Sequence, residues 1–433
     1  MIKNKKLKRY ALCFSLVAGL SMNTLLSQNL IIGLSGSGAE NDPVLLSNAD
    51  DLRLLSAFIY NDVDYSTATA NKYFKLTNNI TFGEPIYDLD GDGIKESNMI
   101  PIGGRRDSVT ASDYRLFQGI FNGDGHIIRN MQILYDTTVG FVGLFGCTWG
   151  ATIENVGIES SSFKGAGCVA ALSGQINYAS NINACFVRKC NVEGNYLFVG
   201  GLCGAAYSGS TIKNSYITSS NVIGTNFVGG LLGINSVNQD NISFVTNSYS
   251  FTNVWTTNNS SYYGGFCGYS TNDTAIINCY YNDNWQQSDS AESGLYSLRG
   301  NVKTLLEMQN DQFVDTLNNE QDSLYWKIAV VVNKSLPILY WEEDAENFLE
   351  IVSNENSISI YPNPATEKVF ISLKDDFSNK SVCLYDVFGR MIAKQQVYEA
   401  KTELDISKIP VGTYLVSIIR EGIIVAKNKL VKK

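Results

Sequence analysis

The sequence is poor in the residues on which many catalytic and nucleic-acid-binding sites depend. It has a single histidine, His126, among 433 residues, and only 17% of its residues are charged. One histidine still permits catalysis by carboxylates, which act as acid pairs in many enzymes that cleave polysaccharides. The net charge is −9 and the central region lacks clusters of lysine and arginine, so nucleic acid is not an expected partner.

Long stretches of Ala, Leu, Glu and Lys are also missing from the middle of the chain, which argues against a helical solenoid. Five short apolar runs that close on glycine stand there instead. Their closing glycines are 28, 30, 29 and 35 residues apart, at Gly146, Gly174, Gly204, Gly233 and Gly268. A period near thirty is typical of a stacked repeat, whose units bury their apolar faces against their neighbours.

Two further columns recur within each period. An apolar residue and then an Asn follow about ten residues after each closing glycine. The second copy has Ala184 at the Asn position. A third column holds Phe163, Val192, Val222 and Val254. Three short β-type runs per thirty residues predict an all-β fold, a right-handed parallel β-helix with three faces. Its coils would lie about 4.8 Å apart, so that like residues stack and the repeated Asn bends the chain.

Two segments at the ends of this array have helical character. Residues 47–50 look like a capping box, and Leu52 and Leu55 follow at helical spacing. Residues 304–307 begin a second segment, which has Met308 and Phe313 on its apolar side. We expect both to be short capping helices that cover the open edges of the stack, rather than helices that bind a partner.

The array resembles the GLUG-motif repeats of large bacterial surface proteins. The resemblance includes an opening segment at residues 40–57, first coils at residues 73–80 and 117–126, and a closing segment that contains Trp326 and residues 337–341. It covers roughly residues 36–342. The resemblance implies a β-helix with end caps over residues 28–345, but it implies no activity, because these proteins share architecture rather than a known function.

The N-terminal residues have the features of a secretory signal peptide. Five basic residues precede an apolar stretch at residues 11–20, which is too short to remain as a membrane span. We expect removal of residues 1–27 by cleavage before Gln28. The mature protein is then expected to have no transmembrane segment.

The last eighty residues change in character, with more lysine, less glycine and alternating strands that predict a small Ig-like β-sandwich over residues 357–433. Ordered motifs here resemble the C-terminal sorting domain of type IX secretion cargo. The residues that carry the resemblance are Tyr361, Pro362, Asn363, Pro364, Asp386, Gly389, Gly412, Tyr414, Lys429 and Lys432. It implies the type IX translocon as a partner, removal of the domain at a linker of residues 346–356, and release from the cell or attachment to the outer face of the outer membrane. The alternative is an ordinary Ig-like module.

The nine cysteines of an exported protein could in principle be oxidised. Cys203 and Cys267 share a column, but Leu232 lies between them, so two coil spacings of about 4.8 Å each would separate them. That separation exceeds the reach of a disulfide. We therefore expect buried thiols that pack as small apolar groups.

One acidic loop has the composition of a calcium site. Alternating aspartates place carboxylates on one side of a turn, and an Ile carbonyl with a Glu carboxylate could complete an oxygen cage. The predicted ligands are Asp88, Asp90, Asp92, Ile94 and Glu96. The loop resembles those of dockerin-type and EF-hand-type modules, except that Met99 stands where a bidentate Glu is usual. The alternative is a solvated acidic turn.

Two classes of function follow from this organisation. A non-catalytic adhesin, or another protein that binds a glycan or protein ligand, would use a row of tyrosines along one face as its binding surface: Tyr216, Tyr249, Tyr280 and Tyr281. The same rings could instead only fill the corners of the coil. A polysaccharide lyase or hydrolase would need carboxylates on adjacent coils, yet Glu154 and Glu193 have no repeated acidic partner. A passive stalk would have neither a groove nor an aromatic row.

Overall fold

The computed structural model of the chain describes residues 33–61, 68–89, 91–105, 114–135, 140–236, 241–257, 262–283, 300–329, 332–342, 358–373, 380–385, 391–399, 401–420 and 423–433. The predicted signal peptide and the predicted linker lie outside these residues.

The central region is a parallel β-helix, as predicted, because every strand pairs side by side with the equivalent strand of the next coil. Ile153, Ile182, Ile212 and Val245 follow one another in register, and all of them are buried. Val169, Val199 and Val228 form a second buried column. The apolar runs of the sequence are therefore the inner side of the coil.

Three parallel sheets build the solenoid. The largest has fifteen strands: Val44–Leu46, Tyr73–Leu76, Ile80–Thr81, Ile120–Arg129, Gln132–Leu134, Thr152–Glu159, Ser162–Gly165, Asn181–Asn183, Phe186–Arg188, Asn191–Gly194, Thr211–Lys213, Tyr216–Gly224, Phe244–Thr256, Ile276–Asn282 and Asn301–Lys303. The second comprises Phe141–Val142, Cys168–Val169, Val199–Gly200, Val228–Gly229 and Tyr263–Gly264. The third comprises Phe145–Trp149, Ser173–Asn177, Cys203–Ala206, Leu232–Asn235 and Cys267–Ser270.

The large sheet bends at the repeated Asn column, as the sequence predicts. Asn155, Asn214, Asn247 and Asn278 have φ values of 54°, 48°, 49° and 53°, and Ala184 adopts the same left-handed conformation at 52°. The Asn278 amide also donates to the side-chain oxygen of Asn247 on the preceding coil, at 2.6 Å. Asn tolerates this backbone better than most residues, so the column bends the chain at little cost.

The cysteine prediction is confirmed for the described part of the chain, where eight cysteines are free and buried. Cys203, Leu232 and Cys267 lie in register on successive coils. Burial raises the pKa of the Cys185 thiol to about 12, which leaves it unreactive at neutral pH.

Helix α1 (Ala49–Asn61) joins the core of the first coils through Leu52 and Leu55. The side chain of Asn48, rather than that of Ser47, accepts hydrogen bonds from the first amides of the helix. The Ser56 hydroxyl donates to the Pro101 carbonyl at 2.8 Å, which fixes α1 against the segment that precedes the regular coils. This position is the one expected for an N-terminal cap.

The second predicted cap lies elsewhere. Residues 304–342, here called the closing segment, contain helices α2 (Leu305–Met308) and α3 (Asp311–Asn318), the 3-10 turn Val332–Ser335 and the antiparallel pair Trp326–Ile328 and Pro337–Leu339. Another 3-10 turn occupies Asp273–Ala275, and a small hairpin pairs Gly104–Arg105 with Tyr114–Arg115. The capping box of Thr304 with Glu307 begins α2, as the sequence predicts.

The closing segment runs back along the side of the large sheet instead of covering its end. The ring of Phe313 lies 5.1 Å from that of Tyr280, Trp326 lies 5.5 Å from Tyr249, and Trp341 lies 5.6 Å from Phe186. The prediction of a second end cap is therefore wrong. The physical reason is that this side of the sheet carries an outward column of large aromatic rings, and the closing segment removes their apolar surface from water.

A buried polar network holds the end of the closing segment. Arg188 forms ion pairs with Glu159 at 2.9 Å and with Glu342 at 3.2 Å, and the Tyr216 hydroxyl donates to Glu342 at 2.8 Å. Burial raises the pKa of Glu342 although Arg188 opposes the shift. For Glu159, burial acts to raise the pKa, but Arg188 and Arg129 together hold it below its usual value.

The remaining described strands form an antiparallel sandwich with its own core. One sheet contains Ile358–Tyr361, Lys368–Leu373 and Lys401–Asp405, and the other contains Lys380–Tyr385, Met391–Gln396, Gly412–Arg420 and Ile423–Lys432. Val369, Val382 and Val416 are fully buried between them. The predicted all-β fold, a parallel β-helix followed by a small sandwich, is confirmed.

Close packing of the coil predicts a large effect for Gly200→Ala. A Cβ at this position would lie 1.9 Å from the carbonyl oxygen of Cys203 and 2.6 Å from the Gly233 nitrogen, so backbone would have to move. We expect a loss of roughly 3 kcal/mol, seen as a fall of several degrees in Tm by circular dichroism. Gly83→Ala is the control, because its Cβ meets nothing within 4 Å. Equal melting of the two variants would contradict the packing described.

The buried network predicts that Glu342→Ala loosens the closing segment. The substitution removes one of the two carboxylates that face the Arg188 guanidinium, at a cost of about 2 kcal/mol. Thermal melting should show this loss, and limited proteolysis should cut residues 304–342 faster. Glu193→Ala, which removes an exposed ion pair with Lys164, should change stability by less than about 1 kcal/mol. A closing segment as resistant in Glu342→Ala as in the parent protein would show that the network does not hold it.

Candidate binding surfaces

The tyrosine row predicted as a binding surface is buried. Tyr216 and Tyr249 are fully inaccessible, and Tyr280 and Tyr281 expose 9% and 6% of their surface. Tyr216, Tyr249 and Tyr280 point outward from the large sheet but lie beneath the closing segment, whereas the Tyr281 ring packs inside the coil against Gly265. The prediction is wrong, because the chain itself covers this apolar row. The alternative reading, that these rings pack within the fold, is the observed one.

The chemistry of the covered row agrees with a structural role. Burial raises the pKa of Tyr216 and Tyr249, and the nearby Glu342 carboxylate raises both further. Each hydroxyl has a partner, since Tyr216 donates to Glu342 and Tyr249 donates to the Pro337 carbonyl. These rings therefore anchor the closing segment to the coils.

A second aromatic column lies on another side of the solenoid, and the sequence analysis missed it. It comprises the residues directly before the first buried residue of each apolar run, which is a valine in four runs and Tyr263 in the fifth: Phe141, Phe198, Phe227 and Tyr262, with Cys168 at the equivalent position of the second coil. The rings of Phe198 and Phe227 are 5.2 Å apart, and those of Phe227 and Tyr262 are stacked at 4.8 Å. The missed signal is an aromatic residue before the valine in most of the runs.

Two tyrosines face this column: Tyr269 of the third sheet, and Tyr207, which directly follows the strand Cys203–Ala206. The ring of Tyr207 lies 6.5 Å from Phe198, and that of Tyr269 lies 5.8 Å from Phe227 and 5.1 Å from Tyr262. All five rings are half-buried, and the buried side chains of Cys168, Ala205 and Ile234 pack in the same cluster. We call Phe198, Tyr207, Phe227, Tyr262 and Tyr269 the aromatic face.

Glycine makes this arrangement possible. A Cβ at Gly233 would lie 2.7 Å from the Val199 nitrogen, and one at Gly268 would lie 2.7 Å from the Val228 nitrogen. The second and third sheets therefore approach each other with no side chain between them. Their outward side chains, the rings of the aromatic face, are brought together as a result.

The acidic loop brings three of its predicted ligands together. One carboxylate oxygen from each of Asp88, Asp92 and Glu96 lies within 4.8 Å of the others. Asp90 lies outside the described residues. The amide of Gly93 donates to Asp88 and that of Ile94 donates to Asp92, which holds the carboxylates around the turn.

The rest of the loop differs from a twelve-residue calcium loop. Its base is closed by a bridge between Tyr87 and Ser97, and Met99 is fully buried in the solenoid core. Met99 therefore supplies no ligand from the twelfth position. Any ion would be held by a shorter loop whose charged ligands come from Asp88, Asp92 and Glu96.

The three glutamates of the strands Thr152–Glu159 and Asn191–Gly194 have no carboxylate beside them in register on the neighbouring coils. Glu154 lies in register between Asn122 and Asn183, and burial raises its pKa. Glu193 lies between Lys164 and Ile223. The third, Glu159, is held between Arg129 and Arg188 in the buried network.

The sandwich brings the predicted sorting motifs together. Asn363 links the first motif to the last strand, since its side chain donates to the Lys429 carbonyl at 2.6 Å and accepts from the Val431 amide at 2.9 Å. The Lys432 ammonium donates to the Thr366 carbonyl, and the Tyr414 hydroxyl donates to the Pro410 carbonyl at 2.7 Å.

The other motif positions are divided between described and undescribed parts of the chain. Gly412 pairs in register with Lys432, and Tyr361, Pro362 and Pro364 lie at the end of the first strand or just after it. Asp386 and Gly389 lie outside the described residues.

The helices that the structure describes are short. None of those in the described part of the chain combines the length and the apolar composition needed to cross a bilayer.

Two known proteins are similar to long stretches of the chain. Over 205 residues, 47% of this chain, it is 26% identical to Halomucin of Haloquadratum walsbyi, but that stretch is only 2% of Halomucin. A crystal structure of "a putative immunoglobulin A1 protease from Bacteroides ovatus" aligns with 71% of this chain and 95% of its own, at 16% identity and a TM-score of 0.44. Neither similarity carries an activity to this protein.

The clearest match covers the sandwich. Residues 359–433 match the family described as "Secretion system C-terminal sorting domain". This match confirms the resemblance to the type IX sorting domain and sets aside an ordinary Ig-like module. The GLUG resemblance of the coils stays a prediction. A type IX sorting tail on a β-solenoid identifies the protein as a secreted or cell-surface protein.

Proposed function

We propose that the protein is a non-catalytic binding protein of the cell exterior, an adhesin-type β-helix that holds its ligand at the aromatic face. The observation that carries this proposal is a column of half-buried rings along one side of the solenoid, at Phe198, Phe227 and Tyr262. Contiguous exposed apolar surface commonly marks an interaction site. Aromatic rings also bury a large area at a small cost in side-chain entropy.

The contrast between the two aromatic rows supports this assignment. The row at Tyr216 and Tyr249 is covered by residues 304–342 of the same chain. The aromatic face leaves its rings only half-buried among the described residues. A passive stalk does not need a contiguous row of partly exposed rings. The apolar residues on a surface without a binding role are normally scattered singly.

The arrangement of the coils favours binding over catalysis. A lyase or hydrolase on this scaffold would need carboxylates that converge on neighbouring coils. Glu154 and Glu193 instead have amides, a lysine or an aliphatic residue beside them in register. The aromatic face lies among uncharged residues such as Ala205 and Ile234, which suits binding through apolar contact.

The proposal predicts that screening the full chain on an array of glycans and extracellular proteins gives a specific ligand. The double variant Tyr262→Ser/Tyr269→Ser should weaken binding by about 30-fold or more, since each ring is expected to contribute about 1–2 kcal/mol. Tyr340→Ser is the matched control, because Tyr340 is 59% exposed but lies in the closing segment. Release of sugars or unsaturated products from a polysaccharide would instead show an enzyme, and an equal loss in the control would remove the aromatic face as the site.

We also propose that the acidic loop binds Ca²⁺ through Asp88, Asp92 and Glu96, with Asp90 and the Ile94 carbonyl as the further ligands the sequence predicts. The convergence of three carboxylates supports this, since Ca²⁺ takes six to eight oxygen ligands in flexible geometry. Sites of extracellular modules bind with a Kd of about 10⁻⁴–10⁻³ M.

Isothermal titration calorimetry of the full chain tests the calcium proposal. Titration with millimolar Ca²⁺ should give heat that is lost in Asp88→Asn/Asp92→Asn and retained in Asp311→Asn, which changes an acidic residue of α3. Titration without heat in the parent protein, or heat that persists in the double variant, would remove the site.

A further inference from the structure

Tyr178 is an exposed aromatic residue held in a backbone conformation that bulky residues rarely adopt. Its φ is 50°, that of Ala179 is 58°, and 53% of the Tyr178 surface is accessible. A large side chain in the left-handed region is a strained choice, and such strain persists where the surroundings fix it. The bend lies where the third sheet passes into the large sheet, between the strands Ser173–Asn177 and Asn181–Asn183.

The surroundings do fix this bend. The buried Ser180 hydroxyl donates to the Asn177 carbonyl at 2.6 Å and accepts from the Ala151 amide of the preceding coil at 3.2 Å. The Ala179 amide donates to the Ser208 carbonyl of the following coil at 3.0 Å. The backbone of the Tyr178 bend is therefore held in one conformation before any ligand arrives.

One face of the Tyr178 ring is covered and the other is open. The Trp149 ring stacks on it with centroids 3.4 Å apart and planes 20° from parallel. The equivalent bend of the following coil carries Ser208 and Gly209, with φ values of 52° and 74°, so only small residues follow on that side. Since half of Tyr178 is exposed although one face is stacked, its other face is presented to solvent.

The fold does not require an aromatic residue here. Ser208 makes the same left-handed bend one coil later, and Gly150 makes the corresponding bend one coil earlier. Tyr178 and Trp149 together thus form an exposed stack of two rings that is not required for the stability of the fold.

The groups around this stack are polar but uncharged. Residues 149–152, 177–181 and 207–211 contain no acidic or basic side chain. Hydroxyls and amides stand nearby, and the Thr211 hydroxyl donates to the Asn181 side chain at 2.6 Å. A ring face bordered by neutral hydrogen-bonding groups matches a sugar, which has apolar C–H faces and a rim of hydroxyls. A purely apolar protein side chain would leave that polar border unpaired.

We propose that Tyr178, backed by Trp149, is a stacking platform for the pyranose ring of a neutral saccharide. This inference rests on the proposed binding function and names its ligand class. The platform lies one coil from the aromatic face, because the Tyr207 amide donates to the Ile176 carbonyl at 3.0 Å, two residues before Tyr178. A saccharide chain that begins on Tyr178 can extend towards Tyr207 and the rest of that face.

Affinity electrophoresis of the full chain tests this inference. Native gels contain dextran, β-glucan, galactan or mannan as neutral probes, and polygalacturonate or chondroitin sulfate as acidic probes. We expect at least one neutral polysaccharide to retard the protein. Tyr178→Ser, which copies Ser208 of the next coil, should lose at least tenfold in apparent affinity, whereas Tyr178→Phe should retain binding. Tyr398→Ser changes an exposed tyrosine of the sandwich and should migrate like the parent protein.

The outcomes separate this inference from the proposed function. Retardation that Tyr262→Ser/Tyr269→Ser abolishes but Tyr178→Ser does not would overturn the platform and leave the aromatic face as the site. Retardation by acidic polysaccharides alone, or a ligand that proves to be a protein, would also overturn it. No ligand of any class for the full chain would overturn both. Circular dichroism of Tyr178→Ser should match the parent spectrum, which assigns any loss of affinity to the missing ring.

Discussion

Each coil of the solenoid has to satisfy its backbone hydrogen bonds from the coils on either side, and this requirement decides what can stand at each position. Neighbouring coils are only about 4.8 Å apart, so a residue's nearest neighbours are the equivalent residues above and below it. Valine lies on valine inside the coil at Val199 and Val228, and the bend at Asn247 lies beside that at Asn278. Glycine recurs at Gly200 and Gly233 because backbone from another strand occupies the space of a Cβ. The effect of a substitution on packing therefore depends on the residues above and below it in the same column, and not on the residue type alone.

The same stacking of equivalent residues produces rows of aromatic rings on the outside of the coils. The two rows in this protein differ in whether another segment of the chain covers them. The row at Tyr216 and Tyr249 is covered by the closing segment, which is fixed by aromatic contacts and by the Arg188–Glu342 pair. The row at Phe198, Phe227 and Tyr262 keeps its rings half-buried. The sorting domain places the protein in the secreted or cell-surface class, and the second row is the surface that we propose for binding a ligand there. The position of the closing segment thus decides which aromatic row is covered.

Much of the fold could be predicted because it is periodic. The closing glycines, the buried valines and the Asn bends repeat along the chain, and each copy supports the others. The same columns excluded a disulfide between Cys203 and Cys267, since Leu232 separates them. The sandwich was predicted from its alternating strands and from ordered motifs that resemble a sorting domain, and the structure shows that Asn363 of the first motif bonds to the last strand.

The binding surface could not be predicted in the same way. Periodicity shows that a residue such as Tyr249 points outward, but it does not show whether a distant segment covers it. The closing segment is not a repeat, and the contact between Trp341 and Phe186 joins residues far apart in the sequence. An aromatic residue before most of the apolar runs was a visible signal, but the runs themselves drew attention away from it. The Tyr178 ring had no such signal, because the left-handed bend recurs at Gly150 and Ser208 with small residues and carries a ring in one coil only.

Tyrosine nitration read by mass spectrometry tests most directly whether the closing segment covers one aromatic row while the other, half-buried among the described residues, stays accessible. Mild nitration of the native full chain should rapidly modify Tyr178 and Tyr196, which are 53% and 62% exposed. Tyr262 and Tyr269 are half-buried and should be modified more slowly. Tyr216 and Tyr249 should remain unmodified until the protein unfolds. Nitration of Tyr216 and Tyr249 as fast as that of Tyr196 would contradict the account.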